Sequence, residues 1–224
     1  MAKTLLTPQQ LNFLELAEKN NQITSRFYLT GGTALAKFYL RHRLSEDLDL
    51  FSEKEVRPQI VEPFLKKISP QLGIKRVVKE RYLGLFSYKL FYSKLNYLKV
   101  DFNYYPFPRI EKGKNFGRLE ISSLYDIAVN KVHTIAMRTN ARDFVDLYFI
   151  FKGTEYNDLA RIRLDSQAKF DWPLEPKNLI SQFLRVKDFK AQDFPRMVKS
   201  FNRKAMGDFF LGLAKSLEKE IFKE

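Results

Sequence analysis

Cysteine is absent from this 224-residue chain, and histidine occurs only twice, as His42 and His133. Without cysteine there is no disulfide framework, no thiolate metal site and no cysteine nucleophile, and two histidines are too few for a histidine-rich metal cage. Any catalysis by this chain would therefore rely on carboxylates, hydroxyls, lysine and arginine.

Long apolar runs are missing as well. The longest segment without a charged side chain runs from Thr4 to Leu14, 11 residues, whereas a membrane helix needs roughly 18–20 apolar residues. The N-terminus also lacks the apolar block and small-residue cleavage site of a secretory signal. With 45% hydrophobic and 29% charged residues, the composition excludes disorder and fibrous structure, and it predicts a globular cytoplasmic protein without a membrane span.

Acidic residues are few relative to basic ones, 26 against 39, which gives a net charge of +13. Such an excess favours polyanionic partners: nucleic acid, nucleotides or an acidic protein. Residues 51–100 carry a net +7 and mix aromatic with basic side chains, a combination typical of surfaces that stack bases and neutralise phosphates. A solvated basic hairpin with aromatic core positions would have the same composition.

The order of helix-forming and strand-forming segments predicts an α+β fold. Hydrophobic spacing and breakers predict helices at 8–20, 33–40 and 58–69 and strands at 27–30 and 48–51. Two or three antiparallel strands are predicted within 74–104. Pro63 lies inside the third helix, so its regular part is expected to start at either Pro58 or Pro63, and Pro70 is expected to stop it.

From about residue 121 the hydrophobic period becomes helical. Helices are predicted at 122–138, 141–151, 176–185 and 204–221. Between the two patterns, the segment YPFPRIEKGKNFG is rich in breakers and charge. We therefore predict two domains, a mixed-sheet α/β domain over 1–115 and a helical domain over 116–224.

A Gly-Gly-Thr turn joins the first predicted strand to the next helix. Gly31 and Gly32 allow a sharp turn and a close approach of the backbone to a ligand. The free N–H groups at the helix start, with Thr33 beside them, form an anion site suited to phosphate. Steric requirements alone also produce such turns. Two roles are open for Arg43, further along the chain: it contacts a phosphate or RNA, or it only solvates the loop.

Two aspartates alternate with leucines on the second predicted strand. Asp47 and Asp49 share one face, about 6.6 Å apart along the strand, while Leu48 and Leu50 point into a core. A divalent cation relieves the repulsion between such carboxylates, and Mg²⁺ binds one or two carboxylates together with nucleotide phosphates. An exposed acidic turn is the alternative.

A third aspartate lies on the strand YLKVDFNY. Apolar and polar residues alternate there, which puts Asp101 and Lys99 on a shared polar face. Three aspartates over one sheet face would suit two-metal phosphoryl transfer, in which one metal holds the triphosphate and the other lowers the pKa of the attacking hydroxyl. Asp101 would act as a base or a metal ligand. Taken alone, Asp101 is better explained as a solvent-exposed strand position.

Several segments in order resemble one family, the AbiEii/AbiGii-type nucleotidyltransferases, toxins of bacterial toxin–antitoxin or phage-defence (abortive infection) pairs. The segments are YLTGGTALAKFYLRHRLSEDLDLF, LKVDF, ISSLYDIAVNKVHTIAMR and ARDFVDLYFI, within residues 26–151. The resemblance implies a DNA polymerase β-like nucleotidyltransferase domain. It also implies roles for six residues. Gly31, Gly32 and Thr33 would bind the triphosphate, and Asp47, Asp49 and Asp101 would bind the metals. The superfamily often has Gly-Ser where this chain has Gly-Gly-Thr, which leaves open which hydroxyl meets the phosphate.

The resemblance also points to two helical motifs. Asp126 and Lys131 match an Asp-x-x-x-x-Lys pattern, with Lys131 at the nucleotide phosphates, and Asp143 and Asp146, after Arg142, match the acidic motif that follows. The residues themselves leave alternatives open. Lys131, on an apolar helix face, either snorkels out or faces a cleft that holds an anion. Asp126 also suits a helix cap, and Asp143 and Asp146 suit a surface ion-pair cluster with Arg142.

These features predict a Mg²⁺-dependent enzyme that moves NMP from an NTP to an acceptor hydroxyl and releases pyrophosphate. The resemblance to toxins and the basic, aromatic segment favour an RNA acceptor, such as a tRNA 3′ end. A toxin would have a separate winged-helix-like antitoxin as its partner. The alternatives are a nucleotide- or RNA-binding protein on a transferase scaffold without turnover, and a transferase that acts on a protein or small molecule.

Overall fold

A mixed sheet organises the N-terminal part of the computed structural model, which describes residues 5–222. Its strands are β1 (Tyr28–Thr30), β2 (Leu48–Ser52), β3 (Arg76–Tyr82), β4 (Leu85–Phe91), β5 (Tyr97–Tyr104), β6 (Asn115–Phe116) and β7 (Leu119–Ile121). They lie in the order β3-β4-β5-β2-β1-β7-β6. β2 is parallel to β5 and antiparallel to β1, while β3, β4 and β5 form an antiparallel meander. The structure thus confirms the antiparallel strands predicted within 74–104.

Helices precede and separate these strands. They are α1 (Pro8–Ala17), α2 (Asn21–Thr24), α3 (Gly31–Leu35) and α4 (Pro58–Leu72). The helix predicted over 8–20 is α1, which ends at Ala17. α2 lies beyond the predicted range and was not foreseen; the Asn20 side chain caps its start by accepting hydrogen bonds from the N–H groups of Gln22 and Ile23. α3 continues directly into one turn of π-helix, Ala36–Leu40.

α4 carries two prolines without a break. It begins at Pro58, runs through Pro63 and Pro70, and ends at Leu72, and Gly73, with a φ of +67°, caps it. The expected stop at Pro70 is therefore wrong, and Pro63 does not delay the start. Both internal prolines are exposed, so the carbonyls that lose an N–H partner can hydrogen-bond to water instead.

Alternation along the strands builds the core of the sheet on one face. Leu48, Leu50, Val100 and Phe102 are fully buried. The Phe102 ring meets two other aromatic rings edge-on, with ring centroids 5.0 Å and 5.9 Å apart. Burying each of these large apolar side chains contributes about 1.5–3 kcal/mol, which fixes the strand register and hence the residues that lie on the opposite face.

The residues from Tyr125 onward form a separate helical unit. Its helices are α5 (Leu124–Met137), α6 (Ala141–Gly153), α7 (Leu159–Phe170), α8 (Pro176–Leu184) and α9 (Arg203–Ile221). The sequence predicted all of these except α7, whose apolar residues are interrupted by charged ones. Phe210 lies at the centre of the unit, with its ring centroid 4.7 Å from that of Phe144 and 5.3 Å from that of Phe183.

The two units divide between Leu124 and Tyr125, later than the expected boundary at 115/116. The reason is that β6 and β7 complete the sheet, with β7 pairing in parallel with β1. The breaker-rich segment that suggested the boundary is a loop leading into these strands. Within residues 5–222, no helix is long and apolar enough to cross a membrane.

Candidate active site

Polar side chains from three neighbouring strands lie in one row across the sheet. Asp49 on β2 is the register partner of Asp101 on β5, and Ser87 on β4 is opposite Asp101 from the other side. The leucines that flank Asp49 are fully buried. Because side chains alternate between the two faces of a strand, Asp49 shares the face of Asp101, as predicted. Asp47 lies just before β2, and its contact with Lys99 brings it to the same cluster.

Lys99 supplies a cation within this cluster of carboxylates. Its Nζ lies 2.6 Å from Asp101 Oδ2 and 3.8 Å from Asp47 Oδ2. Burial lowers the pKa of Lys99, but the hydrogen bond to Asp101 and the negative charges of Asp101, Asp47 and Asp49 outweigh burial and raise it above its ordinary value. The ammonium therefore stays charged and offsets part of the repulsion among the aspartates.

The carboxylates suit a divalent cation that is bound together with a substrate. Asp101 is 7% exposed, and its Oδ1 is buried and has no hydrogen-bond partner, so one oxygen is left to serve as a ligand or a proton acceptor. In the described part of the chain, no three acidic or histidine side chains are gathered to hold an ion by themselves. Mg²⁺ does not require such a cage, because one or two carboxylates and the phosphates of a nucleotide are enough.

The turn after β1 brings the backbone against Asp49. Gly31 has a φ of +71°, and a Cβ built there would overlap the Asp49 carboxylate. A side chain at this position would be both strained and blocked. The Thr33 hydroxyl donates to the main-chain carbonyl of Asp47 at 2.5 Å, so it ties the start of α3 to the loop before β2. In this structure, the Thr33 hydroxyl thus positions an aspartate.

Arg43 packs against the second glycine of the turn. A Cβ built on Gly32 would overlap the Arg43 guanidinium. The side chain is buried, and its Nη1 donates to the Leu44 carbonyl at 2.9 Å. The reading of Arg43 as a residue that merely solvates the loop is therefore wrong, and the structure puts its positive charge beside the turn predicted to bind phosphate.

The helical unit contains the second group of predicted residues. Lys131 Nζ on α5 lies 2.7 Å from Asp143 Oδ1 and 2.6 Å from Asp146 Oδ2, both on α6. The side chains of Asp143 and Asp146 are only 5% and 0% exposed. The surface ion-pair cluster with Arg142 is thus wrong: these carboxylates are buried and bind Lys131, and Arg138 Nη2 lies 3.3 Å from Asp143 Oδ2.

Asp126 also belongs to a buried pair. Its Oδ1 accepts a hydrogen bond of 2.6 Å from Lys169 Nζ, and the two side chains are 1% and 2% exposed. No role for Lys169 was predicted, because α7 itself was not predicted. Lys99 was placed on the correct face from strand alternation, but its contact with two aspartates needed the β2–β5 pairing.

A mixed sheet with a Gly-Gly turn, an Asp-x-Asp segment at the start of β2 and a third aspartate on the neighbouring strand agrees with a nucleotidyltransferase. The sequence pattern of one family, described as nucleotidyl transferase AbiEii toxin of type IV toxin–antitoxin systems, matches residues 16–212. The chain belongs to this family. The resemblance found in the sequence is thereby confirmed.

One relative in sequence and two solved structures are also similar to this chain. An uncharacterized protein of Aquifex aeolicus is 31% identical over 163 residues, which cover 70% of this chain and 74% of that protein. A Helicobacter pylori protein described as a candidate nucleotidyltransferase has a similar fold, with a TM-score of 0.58 at 21% identity over 97% of this chain and 98% of its own. MenT4, a nucleotidyltransferase toxin of Mycobacterium tuberculosis, gives a TM-score of 0.59 at 15% identity over 92% of this chain and 84% of its own.

Proposed function

We propose that this nucleotidyltransferase uses Mg²⁺ to transfer NMP from an NTP to a hydroxyl at the 3′ end of an RNA, with tRNA as the expected acceptor. The observation that carries the proposal is the pairing of Asp49 with Asp101 on adjacent parallel strands, with Gly31 packed against Asp49. This arrangement puts a phosphate-binding turn and paired carboxylates side by side, as nucleotidyl transfer requires.

Each aspartate has a proposed role. Asp47 and Asp49 would hold the metal, which, when bound, would neutralise the triphosphate and lower the pKa of the attacking hydroxyl. Asp101 would either join the metal ligands or accept the proton of that hydroxyl through Oδ1, which has no hydrogen-bond partner. Lys99 would orient Asp101 through the other carboxylate oxygen.

The turn residues are proposed to bind the triphosphate. At Gly31 and Gly32 there is no side chain between the backbone and the ligand, and the Thr30 side chain does not cap α3, so main-chain N–H groups are left for phosphate oxygens. Arg43, packed on Gly32, would add positive charge there. Thr33 would act indirectly, because its hydroxyl holds the loop that carries Asp47.

Lys131, Asp143 and Asp146 are proposed to act at the nucleotide as one unit. Two buried carboxylates keep the Lys131 ammonium charged and fix its direction. Lys131 would therefore contact a phosphate with little loss of side-chain entropy, and the aspartates would position it.

The RNA acceptor is favoured by charge. The chain carries a net +13, and residues 51–100, which carry more than half of this excess, form α4, β3, β4 and the start of β5. Asp101 lies on β5, and β4 is the neighbouring strand. A polyanionic acceptor would thus be attracted to the side of the sheet next to the reacting carboxylates.

Membership of a type IV toxin–antitoxin family supports a role as the toxin of such a pair, acting in phage defence. The proposed partner is a winged-helix-like antitoxin encoded nearby. Co-expression with the neighbouring small reading frame should restore growth if the enzyme is toxic, and the Asp49→Asn variant should need no such protection.

The proposed activity is tested by incubating the protein with Mg²⁺, each α-labelled NTP in turn and total bacterial RNA. Label is expected on RNA with the wild type and with Glu55→Gln, which changes an acid with a 76% exposed side chain outside the cluster, but not with Asp49→Asn. If the label appears on protein or on a small molecule instead, that class of molecule is the acceptor and the RNA acceptor is wrong. No label on any acceptor would contradict the proposal.

A further inference from the structure

An aromatic and basic row lies on the same sheet face as the aspartates. Arg76 on β3 pairs with Phe91 on β4, and Phe91 pairs with Tyr97 on β5. The Arg76 guanidinium carbon lies 4.3 Å from the Phe91 ring centroid, and the Phe91 and Tyr97 centroids are 5.1 Å apart at an interplanar angle of 41°. We call these three side chains the sheet platform.

The sheet platform continues directly into the active site. Along β5, residues two apart share a face, so Tyr97 precedes Lys99 and then Asp101 on one face. At about 3.3 Å per residue, the distance from Tyr97 to Asp101 along the strand is roughly 13 Å. Tyr97 and Asp47 also line the same cleft, of about 290 Å³, together with Asn96 and Lys99.

The sheet platform is open to solvent rather than part of the core. Tyr97 is 48% exposed, and Arg76 is exposed as well, whereas Leu98, the next residue on the opposite face, is buried. Burial in the core therefore does not explain an aromatic residue at position 97, whose contact is with the half-buried Phe91 ring. Exposed aromatic rings beside a guanidinium on a sheet face are typical of surfaces that bind single-stranded nucleic acid by stacking.

Strand order separates the sheet platform from the proposed triphosphate site. In the order β3-β4-β5-β2-β1, the turn with Gly31 follows β1 on one side of the carboxylates, and the sheet platform lies on the other side, over β5, β4 and β3. A ligand on the sheet platform would thus approach the carboxylates from the side opposite to the NTP, as the second substrate must.

We propose that the sheet platform binds the single-stranded 3′ end of the RNA acceptor, with Tyr97 stacking on a base close to the reacting nucleotide and Arg76 contacting the backbone. This inference rests on the proposed RNA-directed transfer. It adds the surface and the single-stranded form of the acceptor, and it assigns a binding role to three residues that are not part of the catalytic cluster.

The chain offers a matched control on the same strand. Tyr97 and Tyr104 are the first and last residues of β5 and are 48% and 41% exposed, and alternation puts them on opposite faces. Tyr97→Ala, Tyr97→Phe and Tyr104→Ala are therefore compared for the Kd of a fluorescent single-stranded oligoribonucleotide and for the KM and kcat of RNA labelling. Circular dichroism verifies that each variant is folded.

Tyr97→Ala should weaken oligonucleotide binding and raise KM by about 10- to 100-fold, with a smaller change in kcat, because one base loses its stacking partner. Tyr97→Phe should stay near the wild type, since the ring remains, and so should Tyr104→Ala. Arg76→Gln should weaken binding and reduce its salt dependence.

The outcomes separate this inference from the proposed function. Wild-type RNA labelling with an unchanged KM and Kd in Tyr97→Ala overturns the sheet platform but leaves the transferase proposal standing. Oligonucleotide binding that depends on Tyr97, without label on RNA, supports the surface and overturns the RNA-directed transfer. Equal losses in Tyr97→Ala and Tyr104→Ala, or no oligonucleotide binding by the wild type, overturn the sheet platform.

Discussion

Asp49 and Asp101 are register partners across the parallel pair of β2 and β5. The two carboxylates belong to strands that are distant in sequence, and the fully buried neighbours Leu48, Leu50, Val100 and Phe102 fix their register. A shift of one residue in either strand would turn its aspartate into the core. The geometry of the site is therefore determined by apolar packing on the face of the sheet opposite the aspartates.

Replacing Asp101 should separate catalysis from stability. Asp101→Asn should lower the rate of transfer by about 10²- to 10⁴-fold, as expected for the loss of a base, without lowering the free energy of unfolding. The amide can still accept the hydrogen bond from Lys99, and one of three neighbouring negative charges is removed. Labelling assays and urea unfolding measure the two effects, and a loss of stability equal to that of a core variant would contradict this reading.

The two glycines Gly31 and Gly73 form a natural comparison. Both have positive φ, +71° and +67°, but a Cβ at Gly31 overlaps the Asp49 carboxylate, whereas nothing lies within 4 Å of a Cβ at Gly73. Gly73→Ala should cost about 1–2 kcal/mol for the left-handed backbone alone. Gly31→Ala should cost more and should also abolish NTP binding. Thermal unfolding and NTP titration test this, and equal effects at both positions would refute the proposed crowding at Asp49.

Lys131 should be needed for the stability of the helical unit. Lys131→Met would leave the buried carboxylates of Asp143 and Asp146 without their ammonium, a change that costs about 3–5 kcal/mol. Adding Asp146→Asn should recover part of this loss. The only tryptophan of the chain, Trp172, lies in this unit, so its fluorescence during urea unfolding reports the effect. An unchanged midpoint in Lys131→Met would show that the ion pairs contribute little.

His133 should make the helical unit sensitive to mild acid. Burial lowers its pKa below the ordinary value of 6.5, and its ring stacks on Phe170 at 3.8 Å. Below pH 6.5 the unfolded chain binds a proton that the folded chain does not, so stability should fall as the pH drops from 6.5 toward the folded pKa. His133→Phe should keep the stacking and flatten this dependence. Urea midpoints at pH 7.5 and 5.5 provide the test. An equal loss of stability between these two pH values in the wild type and in His133→Phe would contradict the role of His133.

Removing divalent metal should stop the reaction without unfolding the protein. EDTA is expected to abolish transfer, while the thermal midpoint stays unchanged, because Lys99 already offsets the charges of Asp101 and Asp47. In Lys99→Met, added Mg²⁺ should raise the midpoint, since the carboxylates then lack their resident cation. Calorimetry with and without EDTA measures this, and a large drop in the wild-type midpoint would indicate that metal supports the fold itself.

Local patterns predicted the sheet and one face of the site well. Alternation at Asp49, Lys99 and Asp101 is a property of each strand by itself, and burial of the apolar residues that flank them confirms it. Asp47 lies just before β2. The pairing of β2 with β5 lies outside such patterns, because it depends on tertiary packing. For this reason, the contact of Lys99 with Asp47 was not foreseen.

The elements that were predicted wrongly or not at all also have physical reasons. α7 alternates apolar with charged residues and showed no clear helical stripe, so its Lys169 and the buried pair with Asp126 stayed hidden. Pro70 was read as a stop, but an exposed proline near a helix end costs little when water replaces the missing partner. β6 and β7 have two and three residues, too few for a periodic signal.

The adjacency of β2 and β5 also sets the order in which activity arises during synthesis. Asp49 meets Asp101 only after α4, β3 and β4 have been made and β5 has paired in parallel with β2. Such a long-range closure comes late in folding, since the entropy of the intervening chain must first be overcome. A nascent chain that has not yet completed β5 therefore lacks the paired carboxylates, so the transfer proposed above could begin only once β5 has paired with β2.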